Sequence, residues 1–190
     1  MDLLNISQVS IDKDQLGVLY AYSLYTNEQE NTYLQYTAAC ALIFYLSQKG
    51  SFNYNLNELL VYDYKEERRY IWESKKFMTD INILRDRGLL LRARSRSKTS
   101  HDVNAHQCTV LGHQYVKSIL ETSCETSLFL EKIKKELSCE SGEIKTITLS
   151  DNGPLLCCRH RSQLIDGFLK SFVVAPENSQ LIPPHRPFFI

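Results

Sequence analysis

The chain has 190 residues, 43% hydrophobic and 23% charged, with 22 basic and 22 acidic side chains that balance to a formal charge of zero. That composition belongs to an ordinary folded protein with a core of its own, and it excludes a disordered, fibrous or uniformly polycationic one. The longest apolar run, residues 38–46, is about half of the ~20 residues a bilayer helix requires, and no basic stretch followed by an apolar one opens the chain, so a cytoplasmic protein without a membrane partner is expected.

Residues 1–14 show no period and read as an arm. Residues 15–25, QLGVLYAYSLY, put Leu16, Leu19, Tyr20 and Ser23 on one helical stripe, although tyrosine and valine also suit a strand; a helix is preferred. In 27–50, Glu28, Glu30 and Asn31 or Thr32 stand where a helix start wants caps and negative charge. Leu34, Ala38, Ala41, Leu42, Tyr45 and Leu46 then recur at helical spacing up to Lys49 and Gly50. A short extended link precedes a short helix predicted over 56–64, with Asn55 or Asn57 as its cap.

Residues 65–88 run as a further helix whose buried stripe is Phe77, Ile81 and Leu84 at i, i+4 and i+7; Ser74 can cap its start and Gly88 closes it. Leu89, Leu91 and Ala93 alternate with Leu90, Arg92 and Arg94, which is strand periodicity. A polar loop at 97–106 leads to a returning strand and then to a helix with Tyr115, Ile119 and Leu120 at helical spacing. Residues 126–138 form another amphipathic helix, with Leu130, Ile133 and Leu137 opposite Lys132, Lys134 and Lys135. Ile144, Ile147 and Leu149 alternate with polar residues as in a strand, 161–174 reads as a short helix, and the proline-rich tail as irregular chain.

The order from 31 to 123 is helix, link, helix, helix, two-stranded hairpin, helix. Within it, INILRDRGLLLRAR (81–94) resembles the end of a recognition helix running into a first wing strand. CTVLGHQYVKSIL (108–120) is similar to a second wing strand followed by a helix opened by a turn threonine and a glycine, here Thr109 and Gly112, with Tyr115 beyond. Together they resemble the winged-helix form of the helix-turn-helix domain found in MarR- and PadR-type regulators. In place of the acidic residues usual after that threonine stand Val110 and Leu111. The resemblance implies a mainly α fold with a small β-hairpin, a winged helix-turn-helix with flanking helices. It divides the chain into an N-terminal arm or helix (1–30), a winged-helix domain (31–123), a C-terminal helical and strand extension (124–175) and a flexible tail (176–190). It also implies a homodimeric, non-enzymatic transcription regulator whose partner is double-stranded DNA.

Charge placement agrees with a DNA partner. Residues 65–98 hold 11 basic and 5 acidic side chains, residues 1–64 hold 2 and 7, and 99–190 hold 9 and 10, so one local face is basic although the whole is neutral. A helix fits the major groove and its outward side chains reach base edges, while a basic hairpin tracks the neighbouring phosphates. Ser74, Lys75, Lys76, Thr79 and Asn82 lie off the Phe77, Ile81, Leu84 stripe and are the candidate groove contacts. Arg92, Arg94, Arg96 and Lys98, spaced by two, leave one strand face as a cationic comb suited to phosphate oxygens. The plainer reading of that comb is a solvated strand whose charges prevent edge aggregation. Arg85 and Arg87 sit near a helix C-terminus, where the dipole favours cations in any case.

Other functions find little footing. His101, His106, Cys108 and His113 cluster, as do Cys157, Cys158 and His160, but neither group has the spacing of a zinc site, and no metal or other cofactor is expected. No phosphate loop, GxSxG elbow or HExxH is present, so no enzyme is expected. With no CxxC pair, the six cysteines read as free thiols. Tyr20, Tyr22, Tyr25, Tyr33, Tyr36 and Tyr45 crowd the first helices, as core residues or as a subunit interface. The competing function is a protein-interaction module of the same fold, its basic patch meeting an acidic protein partner.

Overall fold

The computed structural model describes residues 10–64, 67–96, 102–150, 152–159, 161–171 and 180–182. In chain order its elements are α1 (Lys13–Tyr25), β1 (Leu34–Gln35), α2 (Tyr36–Gln48), β2 (Glu58–Tyr64), β3 (Glu67–Trp72), α3 (Lys75–Asp86), β4 (Leu90–Arg96) and β5 (Asp102–Cys108). There follow α4 (Val110–Thr122), α5 (Cys124–Leu137), β6 (Thr146–Ser150), β7 (Gly153–Cys158), β8 (Arg161–Leu164), β9 (Leu169–Ser171) and β10 (Gln180–Ile182).

Helix α1 starts at a capping box. Asp12 Oδ1 accepts from the Gln15 backbone N–H at 2.8 Å, and the Gln15 side-chain oxygen accepts from the Asp12 N–H at 3.1 Å. Residues 15–22 are all buried, so α1, the helix preferred for this segment, threads the interior without a polar face, and apolar residues extend beyond the Leu16, Leu19, Tyr20 stripe. Gly17 makes room for this path, since a β-carbon there would stand 2.5 Å from Phe52 Cε1. Helices α3, α4 and α5 pack around it, and α5 buries Leu130, Ile133 and Leu137 at the spacing the sequence predicts. Helix α2, buried from Ala38 to Ser47, lines an aromatic cluster in which Phe44 meets Trp72 and Phe168, and Trp72 stacks on Phe77 of α3. Such ring pairs add to what burial alone contributes.

The strands form three sheets, ordered β1-β5-β4, β10-β2-β3-β9 and β6-β7-β8. This corrects the expected fold class: a mainly α winged helix-turn-helix with one small hairpin does not describe a chain that is α+β, with ten strands in three sheets among the described residues. The predicted helix at 56–64 is β2, and the predicted helix from 65 begins only at Lys75, after β3. Val61, Tyr62, Tyr64, Tyr70, Ile71 and Trp72 are β-branched or aromatic and favour a paired, half-buried surface, and Leu59 and Trp72 lie opposite each other, both fully buried. Asn55 does not cap a helix; its side chain accepts from the Asn57 N–H and closes a local turn. The stretch 161–174 supplies β8 and β9, separated by a turn in which Gly167 takes φ 81°. Gln180–Ile182 pairs in parallel with β2, inside a stretch whose prolines predict irregular chain.

The reading of all six cysteines as thiols is also corrected. Cys139 and Cys158 form a disulfide across 19 residues, with Cα atoms 5.9 Å apart. Arg159 with Glu143 and Arg161 with Glu140 join the same two segments by ion pairs, so the turn after α5 is fastened to the β7-β8 hairpin. Tyr20, Tyr22 and Tyr45 are buried within their own chain, whereas Tyr33 is 41% exposed. Among the described residues no helix is long and apolar enough to cross a membrane.

Candidate nucleic-acid interface

Helix α3 is positioned from both ends. At its start the Lys75 N–H donates to Glu58 Oε2 at 2.7 Å, so a side chain of β2 caps the helix. Ser74 holds the cap position but makes no side-chain cap bond, and it is fully buried with its hydroxyl unpaired. It is therefore withdrawn from any groove contact. At its end Gly88 takes φ 69°, and the Leu89 N–H returns to the Leu84 carbonyl at 2.9 Å. Phe77, Asp80, Ile81 and Leu84 are buried. The opposite face exposes Lys75, Thr79, Asn82 and Asp86 at i, i+4, i+7 and i+11, flanked by exposed Arg85.

Lys76 stands apart from these. Its ammonium donates to Asp14 at 2.6 Å and to Asp80 at 3.3 Å and lies 4.5 Å over the Tyr54 ring. Buried Asp80 also accepts from Gln15 Nε2 at 3.0 Å and from the Tyr54 hydroxyl at 2.9 Å. Burial lowers the Lys76 pKa, but Asp14 and Asp80 outweigh it and hold the lysine above its usual value. This network joins α3 to α1, and Lys76 belongs to it.

The hairpin that follows sets Leu90 opposite Cys108, Arg92 opposite His106, Arg94 opposite Asn104 and Arg96 opposite Asp102. Positions 92, 94 and 96 therefore share one face of the pleat, as their spacing predicts. It is the face of Leu90, which is buried, whereas Leu91 on the other face is 46% exposed. Arg92 itself is exposed. The Arg94 and Arg96 side chains and Lys98 lie outside the described residues. Across the ladder from Arg92, His106 is 2% exposed, edge-on to Tyr22 and Tyr36, with Nδ1 unpartnered among the described residues. Burial first, then the positive fields of Arg85 and Arg92, push its imidazole down to about 4.

Lys75, Arg85 and Arg92 have no ion-pair partner among the described residues. Arg85 donates one bond, from Nη1 to Asn82 Oδ1 at 3.2 Å, and the Thr79 hydroxyl donates to the Lys75 carbonyl at 3.0 Å. Of Arg85 and Arg87, both of which the helix dipole accounts for in the sequence, Arg85 lies beside the outward stripe, three residues after Asn82, a spacing that marks it.

Thr109 holds the hairpin base. Its hydroxyl donates to the Gly88 carbonyl at 2.7 Å and accepts from the Gly112 N–H at 3.0 Å, capping α4. Gly112 is required for close packing, because a β-carbon there would meet the Leu89 carbonyl oxygen at 2.4 Å. Of the histidines and cysteines considered as ligands, His113 Nε2 lies 3.0 Å from the Thr26 carbonyl and the buried Cys108 thiol points to the Thr109 carbonyl. His101 and His160 lie outside the described residues. No group of three or more His, Cys, Asp or Glu side chains among the described residues could hold a metal ion.

Residues 14–160 match the model of the uncharacterized protein MJ1567 family, and the chain belongs to that family. Neither a curated protein nor a solved structure matches the chain.

Proposed function

We propose that this member of the MJ1567 family is a non-enzymatic, cytoplasmic DNA-binding protein that regulates transcription, with the outer face of α3 in the major groove and the β4-β5 arginines on adjoining phosphates. The observation that carries this reading is the exposed polar stripe of α3, Lys75, Thr79 and Asn82 flanked by Arg85, with Lys75, Arg85 and the exposed Arg92 of the following strand all without an ion-pair partner among the described residues. An unpaired guanidinium is the group best suited to a phosphate oxygen. Lys75, Thr79 and Asn82 are the accompanying base-edge candidates. A homodimer belongs to the same proposal, because two copies would present two such helices to paired half-sites. The buried tyrosines lend the dimer no support, and the Cys139–Cys158 disulfide, a bond commoner in oxidising compartments, weighs against the cytoplasm.

The reading is tested by fluorescence-anisotropy titration of random-sequence duplex DNA across a series of salt concentrations. Neutralised phosphates make log K fall with log salt by about 0.9 per contact, so a steep negative slope is expected. Absence of binding at low salt contradicts the proposal. The second reading, a protein-interaction module, draws on Leu91 and Tyr33, which are 46% and 41% exposed.

A further inference from the structure

Among the described residues β1, β4, β6, β8, β9 and β10 lie at the edge of a sheet. An edge strand leaves alternate main-chain N–H and C=O groups open to another strand, and folded proteins blunt it by shortness or by charge. All but one of these strands are blunted. β1, β9 and β10 have two or three residues, β4 carries Arg92, Arg94 and Arg96, and β8 carries Arg161. The exception is β6, whose five residues TITLS include no charge and no proline. Thr146, Thr148, Leu149 and Ser150 are exposed, and among the described residues the β6 main chain bonds to β7 alone. Ile147 packs against the core and α2 contacts the strand, so β6 is covered on one face while its edge stays open.

The strand is also complementary to itself. Turned antiparallel about Thr148, it sets Thr148 opposite Thr148, Thr146 opposite Ser150 and Ile147 opposite Leu149. Hydroxyl then meets hydroxyl and aliphatic meets aliphatic, the kinds of cross-strand pair that stabilise a sheet. The same operation about Ala93 of β4 sets Arg92 against Arg94, where like charges repel. We infer that β6 is a dimer interface: two copies of the chain pair their β6 strands about a two-fold axis at Thr148, joining two three-stranded sheets into one. The axis is perpendicular to the sheet, so Ile147 and Leu149 of both copies stay on one face. The joined sheet ends at β8 of each copy, whose four residues and Arg161 oppose further addition, and assembly closes at two. This inference stands without the DNA-binding reading and supplies an interface for the homodimer proposed with it.

The test is analytical ultracentrifugation of the full chain without DNA over a concentration series, beside hydrogen exchange of the wild type. Wild type is expected to approach twice the 22.0 kDa of one chain, with β6 amides gaining protection as concentration rises and β8 amides gaining none. Thr148→Lys or Thr148→Asp alone sets two like charges face to face and should weaken dimerisation about fivefold or more, and an equimolar mixture of the two variants should restore it. Ser162→Lys, on the exposed strand at the other edge of the same sheet, should leave dimerisation unchanged. A monomer at every concentration overturns the inference. So does open-ended association, a dimer whose β6 exchange ignores concentration, or a dimer that Thr148→Lys leaves intact. None of these outcomes bears on DNA binding itself, which the salt titration decides.

Discussion

The two ends of α3 carry cations in opposite circumstances. Near its start Lys76 is held by Asp14 and Asp80, and through Asp80 it shares a network with Gln15 and Tyr54. Near its end Arg85 meets, among the described residues, only Asn82 within its own helix, and Arg92 stands exposed on the adjoining strand. In the sequence the lysine and the arginines look alike, as basic residues on the polar side of one segment. What separates them is the partner across the fold: a cation already satisfied by buried carboxylates serves α1–α3 packing, and one left unpaired is available to a ligand.

The sharpest way to break the first end is Asp80→Ala. It strands the Tyr54 hydroxyl and the Gln15 amide in the interior and removes a carboxylate from Lys76. A loss of about 3–5 kcal/mol is expected, read as a shift in the urea midpoint at constant m. A loss below about 1 kcal/mol would show that the network is incidental to the fold.

The second end is sharpened by pH. His106, opposite Arg92 in the ladder, is pushed down to about 4 in the folded state, against 6.5 when unfolded. The folded state thus binds fewer protons, and the histidine's contribution is present in full above the unfolded value. It is lost as pH falls from 6.5 towards 4, by up to about 3 kcal/mol. Urea denaturation of wild type and His106→Phe across that window should show a slope in the first that is reduced in the second. Equal slopes would mean that the acid sensitivity lies in the carboxylates.

Where burial is one-sided, periodicity in the sequence was enough: Phe77, Ile81 and Leu84 of α3 and Leu130, Ile133 and Leu137 of α5 are buried as their spacing predicts. Where burial surrounds an element, as in α1, apolar residues fill most positions, so the stripe of Leu16, Leu19, Tyr20 and Ser23 is blurred and a strand competes with the helix that forms. The β2-β3 hairpin was hidden by asparagines that resemble helix caps and by a helix that begins after it, so strand-forming aromatics were assigned to the neighbouring helical pattern. The Cys139–Cys158 pairing joins residues 19 apart and depends on where β7 returns to the end of α5, which no local spacing encodes. At the candidate interface, the outward positions of Lys75, Thr79 and Asn82 were legible. The capture of Lys76 and the burial of Ser74 each depend on groups distant in sequence.

The most direct test sets the two ends side by side: urea stability and duplex DNA affinity for Lys76→Ala and for Arg85→Ala combined with Arg92→Ala. Lys76 is 45% exposed, so screening limits its loss to about 1 kcal/mol of stability, with duplex affinity changed by less than about threefold. The arginine variant should keep its stability within about 0.5 kcal/mol and lose affinity about tenfold or more. Equal losses of affinity in both variants, or a loss confined to Lys76→Ala, would contradict the assignment of the two ends.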